Sequence, residues 1–369
     1  MSLRIQEEAV VRTLTGKIVQ AGSGVFVRRE VEREIVGDEG DLRTGDPDID
    51  AEISRAENDI RAVARTTTDR WSLIVSERGA VIEISAEIGR AERMADPPGA
   101  TPIAEVELEL LKGSPEALFE LARRLIETSE GRLRLSNEAK LDLALRGGKT
   151  PDLSKFERLA VPPDAAAADL LSLALRALAL RVVDAAGLVC IHFDAAAVKQ
   201  LRVALRRIRA LERIFRRHFD NKPLAPIASR AKTFSRQAGA VRDLDVFIGS
   251  IAGMPGAEAL AAAAQASRAK AMFELVSALA SVEFNLFAVD LLEAALAEPW
   301  RVAARKRLAS PAQAFASAEL DRQWSKLLAA GEKLQSEAPS VLHEFRLRLK
   351  KFRYAAQFFR DFFDPPVRK

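Results

Sequence analysis

The chain has 369 residues and a mass of 40.4 kDa, enough for two domains at roughly 150 residues each. Charged residues make up 29% and hydrophobic ones 48%, the balance of a globular chain and not of a disordered one. Its 56 Lys and Arg against 52 Asp and Glu leave a net charge of +4, which excludes a protein that coats nucleic acid by bulk charge alone.

One cysteine, Cys190, excludes an internal disulfide framework and any multi-cysteine metal site, and fits a reducing compartment. The first ten residues, MSLRIQEEAV, carry two glutamates and no apolar core, so they do not read as a signal peptide. No apolar run approaches the roughly 18 residues of a membrane span. A cytoplasmic location and no membrane partner are expected from these features. His192, His218 and His343 are too scattered to mark a metal cluster, and GxGxxG, P-loop and GxSxG motifs are absent.

The first 110 residues alternate in the manner of half-buried strands, at Val25–Glu32, Trp71–Val75, Val81–Ile88 and Ala104–Leu111. Turn signals separate them, among them Arg78-Gly79 and Asp96-Pro97-Pro98-Gly99. Within the last strand Glu105, Glu107 and Glu109 share one face. Three like charges there need a cation or basic partners across the sheet; a plain exposed strand with salt-bridged glutamates is the alternative. A helix follows, with Ser114 as N-cap, Pro115 at N1 and an apolar face of Ala117, Leu118, Leu121, Leu125 and Ile126.

Residues 147–164 are rich in Gly and Pro and read as a linker. Beyond them the chain turns Ala-, Leu- and Arg-rich with helical spacing, which predicts helices near 165–186, 194–219, 224–252, 256–282, 284–298, 311–335 and 340–363. Phe193 before a capping Asp194, with Val198 beyond it, predicts a hydrophobic staple.

Two of these helices stand out. In the first, Lys199, Arg202, Arg206, Arg209, Arg213 and Arg216 are spaced 3, 4, 3, 4, 3 and fall on one stripe beside Leu201, Leu205, Ile208 and Phe215. In the second, His343, Arg346, Lys350, Arg353 and Arg360 repeat that register 144 positions on, beside Phe345, Leu349, Phe352 and Phe359. This is an internal repeat, and it predicts a bundle with pseudo-twofold symmetry. Like charges at i,i+4 destabilise a helix by roughly 0.2–0.5 kcal/mol per pair. Segment 196–220 sets eight Lys and Arg against Glu212 and Asp220 alone, so its own acids do not neutralise it. A solvated face or ion pairs with neighbouring helices would account for one such helix; two in one register favour a linear polyanion, whose oxygens suit guanidinium forks. His343 reads either as a surface residue or as a phosphate contact near the free N–H groups of a helix capped by Ser340. Arg242, Asp243 and Asp245 lie on another predicted helix, where they can orient the arginines without touching the ligand. No aromatic alternates with the basic stripe, so base stacking is not supported and nucleic acid is disfavoured as a partner.

The segments LRVALRRIRA, AVRDLDV and LHEFRLRLKKFRYAAQFF resemble the CHAD family over about 165–369. The resemblance implies a two-repeat helical bundle that binds inorganic polyphosphate through residues matching Lys199, Arg202, Arg206, Arg209, His343, Arg346, Lys350 and Arg353. It also implies association with polyphosphate granules. Lys199 stands where the family has its first-repeat histidine. After the second basic helix the repeat stops at Pro365-Pro366-Val367-Arg368-Lys369, earlier than the first, which predicts an unfinished second repeat.

The first half resembles the CYTH family of triphosphate tunnel metalloenzymes. That resemblance rests on 102–122, on Arg65 to Trp71, on the Val81–Gly89 strand and on Ser136 to Lys140. It implies a β tunnel in which Glu105, Glu107 and Glu109 hold Mg²⁺ or Mn²⁺ and Arg28, Arg65, Arg70 and Lys140 grip a triphosphate. The ExExK strand that opens the family is absent, and Gln6 and Thr13-Leu14-Thr15 depart from its pattern.

The expected fold is therefore α+β multidomain. An incomplete CYTH-like β tunnel spans 1–146, a linker 147–164, and a CHAD-like helical bundle 165–369. Polyphosphate binding is the first functional expectation. Metal-dependent hydrolysis of inorganic triphosphate is the second, and nonspecific nucleic-acid binding the third.

Overall fold

The fold comes from a computed structural model, which describes residues 2–8, 11–18, 29–35, 42–56, 60–94, 99–146, 153, 159, 161–335 and 339–363. Arg28, most of the predicted linker and the last six residues lie outside these. The molecule is mostly helical. Its strands are β1 (Ser2–Glu8), β2 (Val11–Ile18), β3 (Arg29–Ile35), β4 (Ala64–Glu77), β5 (Ala80–Arg93) and β6 (Gly99–Lys112). Its helices are α1 (Pro47–Arg55), α2 (Pro115–Thr128), α3 (Lys140–Arg146), α4 (Ala167–His192), α5 (Ala195–Phe215), α6 (Ala225–Ile251), α7 (Glu258–Leu279), α8 (Val282–Leu296), α9 (Ala312–Gly331) and α10 (Pro339–Phe359).

Among the described residues the strands form two three-stranded sheets, ordered β1-β2-β3 and β4-β5-β6. The first is antiparallel, with Ile5 opposite Leu14 and Thr15 opposite Glu32. The two-residue loop between β4 and β5 uses positive φ at Arg78 (50°) and Gly79 (79°), the backbone of a type I′ hairpin turn. The predicted strands near 71, 81 and 104 all fall within the second sheet, and each is longer than its apolar pattern. Of the strand expected at Val25–Glu32, residues 29–32 fall within β3, and residues 25–28 lie outside the described residues.

The chain divides into two compact units. One comprises Met1–Asp69, Glu87–Ala104 and Ala139–Lys149. It holds the first sheet, α1, α3 and a small core of Ala91, Ile103 and Ala144. Alternation before residue 110 predicts strands and no helix, yet α1 forms there. Asp46 caps it, accepting from the Asp48 and Ile49 N–H groups at 3.0 and 3.2 Å, Pro47 follows at N1, and Ile49 and Ile53 are buried.

The other unit comprises Arg70–Ala86, Glu105–Glu138 and Thr150–Lys369. Here α2 has two apolar faces. Ala117, Leu118, Leu121 and Leu125 pack on Val75, Ala80, Ile82, Ile84, Leu108 and Leu110 of the strands. Phe119 and Ile126 join the helical core instead. Arg123 of α2 bridges Asp290 at 2.8 Å and Glu293, fixing the helix to α8. The Ser114 cap forms as expected, accepting from the Glu116 N–H at 3.3 Å.

The helical core is built around α4, which is apolar on almost every side and buries residues from Ala167 to Val189. Burial of each large side chain contributes roughly 1.5–3 kcal/mol, so α4 is the helix that the others are assembled on. Helices α5, α8 and α9 pack directly against it. The expected staple at the start of α5 does not form: Phe193 is the left-handed C-cap of α4, with φ 53°, and its side chain is exposed while Val198 is buried. Ending α4 in that conformation points the ring outward. Among the described residues no single helix is long and apolar enough to cross a membrane. The α7–α8 pair is long and apolar enough together but bends by 58° between its helices, and most of α8 is buried in the core.

Candidate functional site

Helix α5 is divided into two stripes. Leu201, Leu205, Ile208 and Phe215 are at most 2% exposed and lock its rotation in the core. Asp194 sets its start, accepting from the Ala196 and Ala197 N–H groups at 2.6 and 3.1 Å. With rotation and start fixed, the basic stripe occupies the adjacent face. Its C-terminal half is partly buried. Burial, then Arg206 and Arg236, hold the Arg209 guanidinium below its ordinary value. Burial, then Arg209 and Arg216, do the same to Arg213 against the opposing pull of Glu212. Arginine stays charged even so. Among the described residues Arg206, Arg209, Arg213 and Arg216 form no ion pair, and at Arg209 and Arg213 that charge is partly desolvated, with the nearby Glu212 offsetting part of it at Arg213.

Helix α10 lies beside α5, and the two basic stripes meet at Tyr354. Arg206 stands 5.6 Å from the centre of that ring and Arg353 5.5 Å, one guanidinium from each helix. Arg207 also donates to Gln357 Oε1 at 3.4 Å. Tyr354 escaped the sequence reading because it is a single aromatic that does not alternate with the arginines; its place next to Arg353 was the available signal.

Helix α6 backs the start of the stripe. Arg202 lies 3.8 Å from Asp243 Oδ1, and its Nε lies 3.4 Å from the position a Cβ on Gly239 would occupy. Asp245 faces another way: it accepts from Arg268 Nε of α7 at 2.5 Å and stands 4.0 Å from Arg242. Of the three expected orienting residues, Asp243 is the one within ion-pair reach of the stripe among the described residues. Lys199, His343 and Arg346 are exposed and Lys350 is half-buried. Helix α10 begins at Pro339, so Ser340 is its second residue and not its cap, and His343 lies a full turn inside.

The expected triphosphate and metal residues fall in both units. In the first unit the half-buried Lys140 pairs with the buried Glu87, Nζ to Oε1 2.7 Å, and Arg65 is exposed. In the second, Arg70 lies 3.4 Å from Glu83 and 3.8 Å from Glu107. Glu105 is half-buried, and Glu107 and Glu109 are exposed on the face of β6 opposite the Leu108 and Leu110 that pack under α2.

The family model of the CHAD domain matches residues 174–369. Among solved structures, the CHAD domain from the plant Ricinus communis matches with a TM-score of 0.50 and 22% sequence identity, covering 58% of this chain and 71% of that one. At that identity the likeness speaks for the helical fold alone. Among curated proteins none matches. A family model that spans more than half of the chain, over the helices that carry the two basic stripes, establishes that this chain belongs to the CHAD domain family.

Proposed function

We propose that the helical part binds inorganic polyphosphate along the stripes of α5 and α10. The observation that carries this reading is the row Arg206, Arg209, Arg213, partly buried and without a carboxylate in ion-pair reach among the described residues. Such a row is unfavourable until an anion joins it. A flexible chain with a charge on every unit supplies one counter-charge per arginine, and guanidinium forks bind its oxygens bidentately. Lys199, Arg202, His343, Arg346, Lys350 and Arg353 extend the track, and Asp243 steadies Arg202. The test is retention on immobilised long-chain polyphosphate. The Arg206→Glu/Lys350→Glu double variant is expected to lose it, and unchanged retention would sink the reading.

A second reading, hydrolysis of inorganic triphosphate with Mg²⁺ or Mn²⁺, rests on Glu105 and Glu107, adjacent carboxylates on one face of β6. Their oxygens suit a hard divalent ion. Arg70, 3.8 Å from Glu107, already offers that carboxylate a positive charge, so the fit is partial and no catalytic step is derived through a metal. Phosphate release with either ion decides it: turnover lost in Glu107→Gln supports an enzyme, and its absence leaves a binding protein.

A further inference from the structure

The basic stripe ends in a cavity that differs chemically from the rest of it. The cavity has a volume of about 250 Å³, and one wall carries Arg209, Glu212 and Arg213 of α5 with Arg216 just past its end. Its α6 wall is made of small residues, Ala225, Ala228 and Ser229. Three cations around a space specify an anion. The carboxylate among them is the informative part, because it repels an anion that has no proton to offer.

The internal repeat shows that this arrangement belongs to one helix only. Positions Arg202, Arg206 and Arg209 have basic counterparts on α10, namely Arg346, Lys350 and Arg353. The Glu212–Arg213 pair has none: the matching residues are Ala356 and Gln357. The track is therefore shared by both helices, while the mixed set of charges lies at the α5 end and has no match at the equivalent positions of α10.

Internal units of a condensed phosphate chain present acceptor oxygens and no hydroxyl near neutral pH. The terminal unit differs, because its second ionisation lies near pH 6, as in phosphate monoesters. It offers several acceptors together with one O–H donor. We propose that this cavity seats the terminal phosphate of a polyphosphate chain, with Arg209, Arg213 and Arg216 donating to its oxygens and Glu212 accepting from its hydroxyl. The proposal rests on the polyphosphate reading above and adds an end to the track, so that a chain is engaged by one terminus. Ser229 gives the α6 wall a hydroxyl that either donates to or accepts from the same group.

The test compares a short polyphosphate with free ends and the same chain with both ends capped as methyl esters, which removes the terminal hydroxyl and leaves no donor in its place. Binding is measured at pH 6 by titration calorimetry on the full chain, with circular dichroism to verify that each variant is folded. The wild type is expected to prefer the free-ended chain by about tenfold or more, the loss that follows one charge-assisted hydrogen bond. Glu212→Ala is expected to bind both chains alike. If the wild type binds capped and free chains equally, or if Glu212→Ala keeps the preference, the end seat is overturned while the track stands. If neither chain binds the wild type, the polyphosphate reading falls and the end seat with it.

Discussion

Single side chains decide the electrostatics of this molecule, and His218 shows how. It is 5% exposed, packs edge-on against Phe315 at 4.9 Å, and accepts from Arg217 Nε through Nε2 at 3.2 Å. Burial and then Arg217 push it down from 6.5 to about 4. Glu319, 1% exposed, balances the arginines on the far side. Burial alone would raise its pKa, but hydrogen bonds from Arg322 and Gln323 outweigh that and hold it below the usual carboxylate value. A ring kept neutral when folded takes up a proton only on unfolding. Between pH 6.5 and about 4 the unfolded state therefore binds the extra proton, and stability falls as the pH falls through that window. The effect is up to roughly 3 kcal/mol by pH 4. Urea midpoints measured from pH 4 to 7 are expected to drop accordingly, and His218→Gln to flatten the profile; an unaltered slope in the variant would place the cause elsewhere. None of this was legible in the sequence, where His218 was one of three scattered histidines. The arginine spacing was fully legible, because helical periodicity alone places six cations on one stripe. Tyr354 was not, since its role arises from two helices approaching each other. Tyr354→Leu is expected to weaken polyphosphate binding a few-fold by releasing Arg206 and Arg353, as measured by titration against long chains.

At the scale of elements the two repeats are unequal. On α5 the apolar stripe is sealed, with Leu205 at 0% exposure, because α6 packs along it. On α10 the matching Leu349 is 45% exposed, while Phe359 at the other end is buried. The repeat itself was visible in the sequence as a register of 144; which half of it is covered was not, because coverage depends on the neighbouring helix. Helix positions in the second half were predicted to within a few residues from periodicity, except that α4 runs six residues past its expected end at 186, and the cap at Asp194 fixed the start of α5. Phe193 misled for a physical reason: a residue can serve as the C-cap of one helix or the staple of the next, and α4 claimed it. Close approaches also lay outside the reach of sequence. Gly113 has φ 105°, and a Cβ there would lie 2.6 Å from Ala80 Cα and 2.8 Å from its Cβ. Gly113→Ala is expected to destabilise the chain by about 1–3 kcal/mol through that strain and clash, read as a lower denaturation midpoint. A variant as stable as the parent would show that the β6–α2 junction yields.

For the whole molecule, a net charge of +4 hides a division of labour. Acids on β6 and on α8 are met by nearby arginines, as Glu107 is by Arg70 and Asp290 by Arg123 and Arg230. Among the described residues Arg206, Arg209, Arg213 and Arg353 carry no ion pair and line up on the stripes of α5 and α10. That uneven distribution, more than the total, is what the molecule offers a ligand. Polyphosphate and RNA at equal phosphate concentration both carry the needed charge, but among the described residues Tyr354 is the ring set between the arginines of the two stripes, too little for a base-stacking platform, so polyphosphate is expected to displace RNA. The central claim is that the track binds a linear polyanion by its charges. Its most direct test is the affinity for long-chain polyphosphate measured across a salt series from 50 to 200 mM. By analogy with single-stranded nucleic acid, about six contacts from Arg202, Arg206, Arg209, Arg213, Lys350 and Arg353 give a logarithmic slope of roughly −4. Such a slope, reduced by about one for each cation removed, is the predicted result. Affinity indifferent to salt, or no binding at 50 mM, would contradict the account.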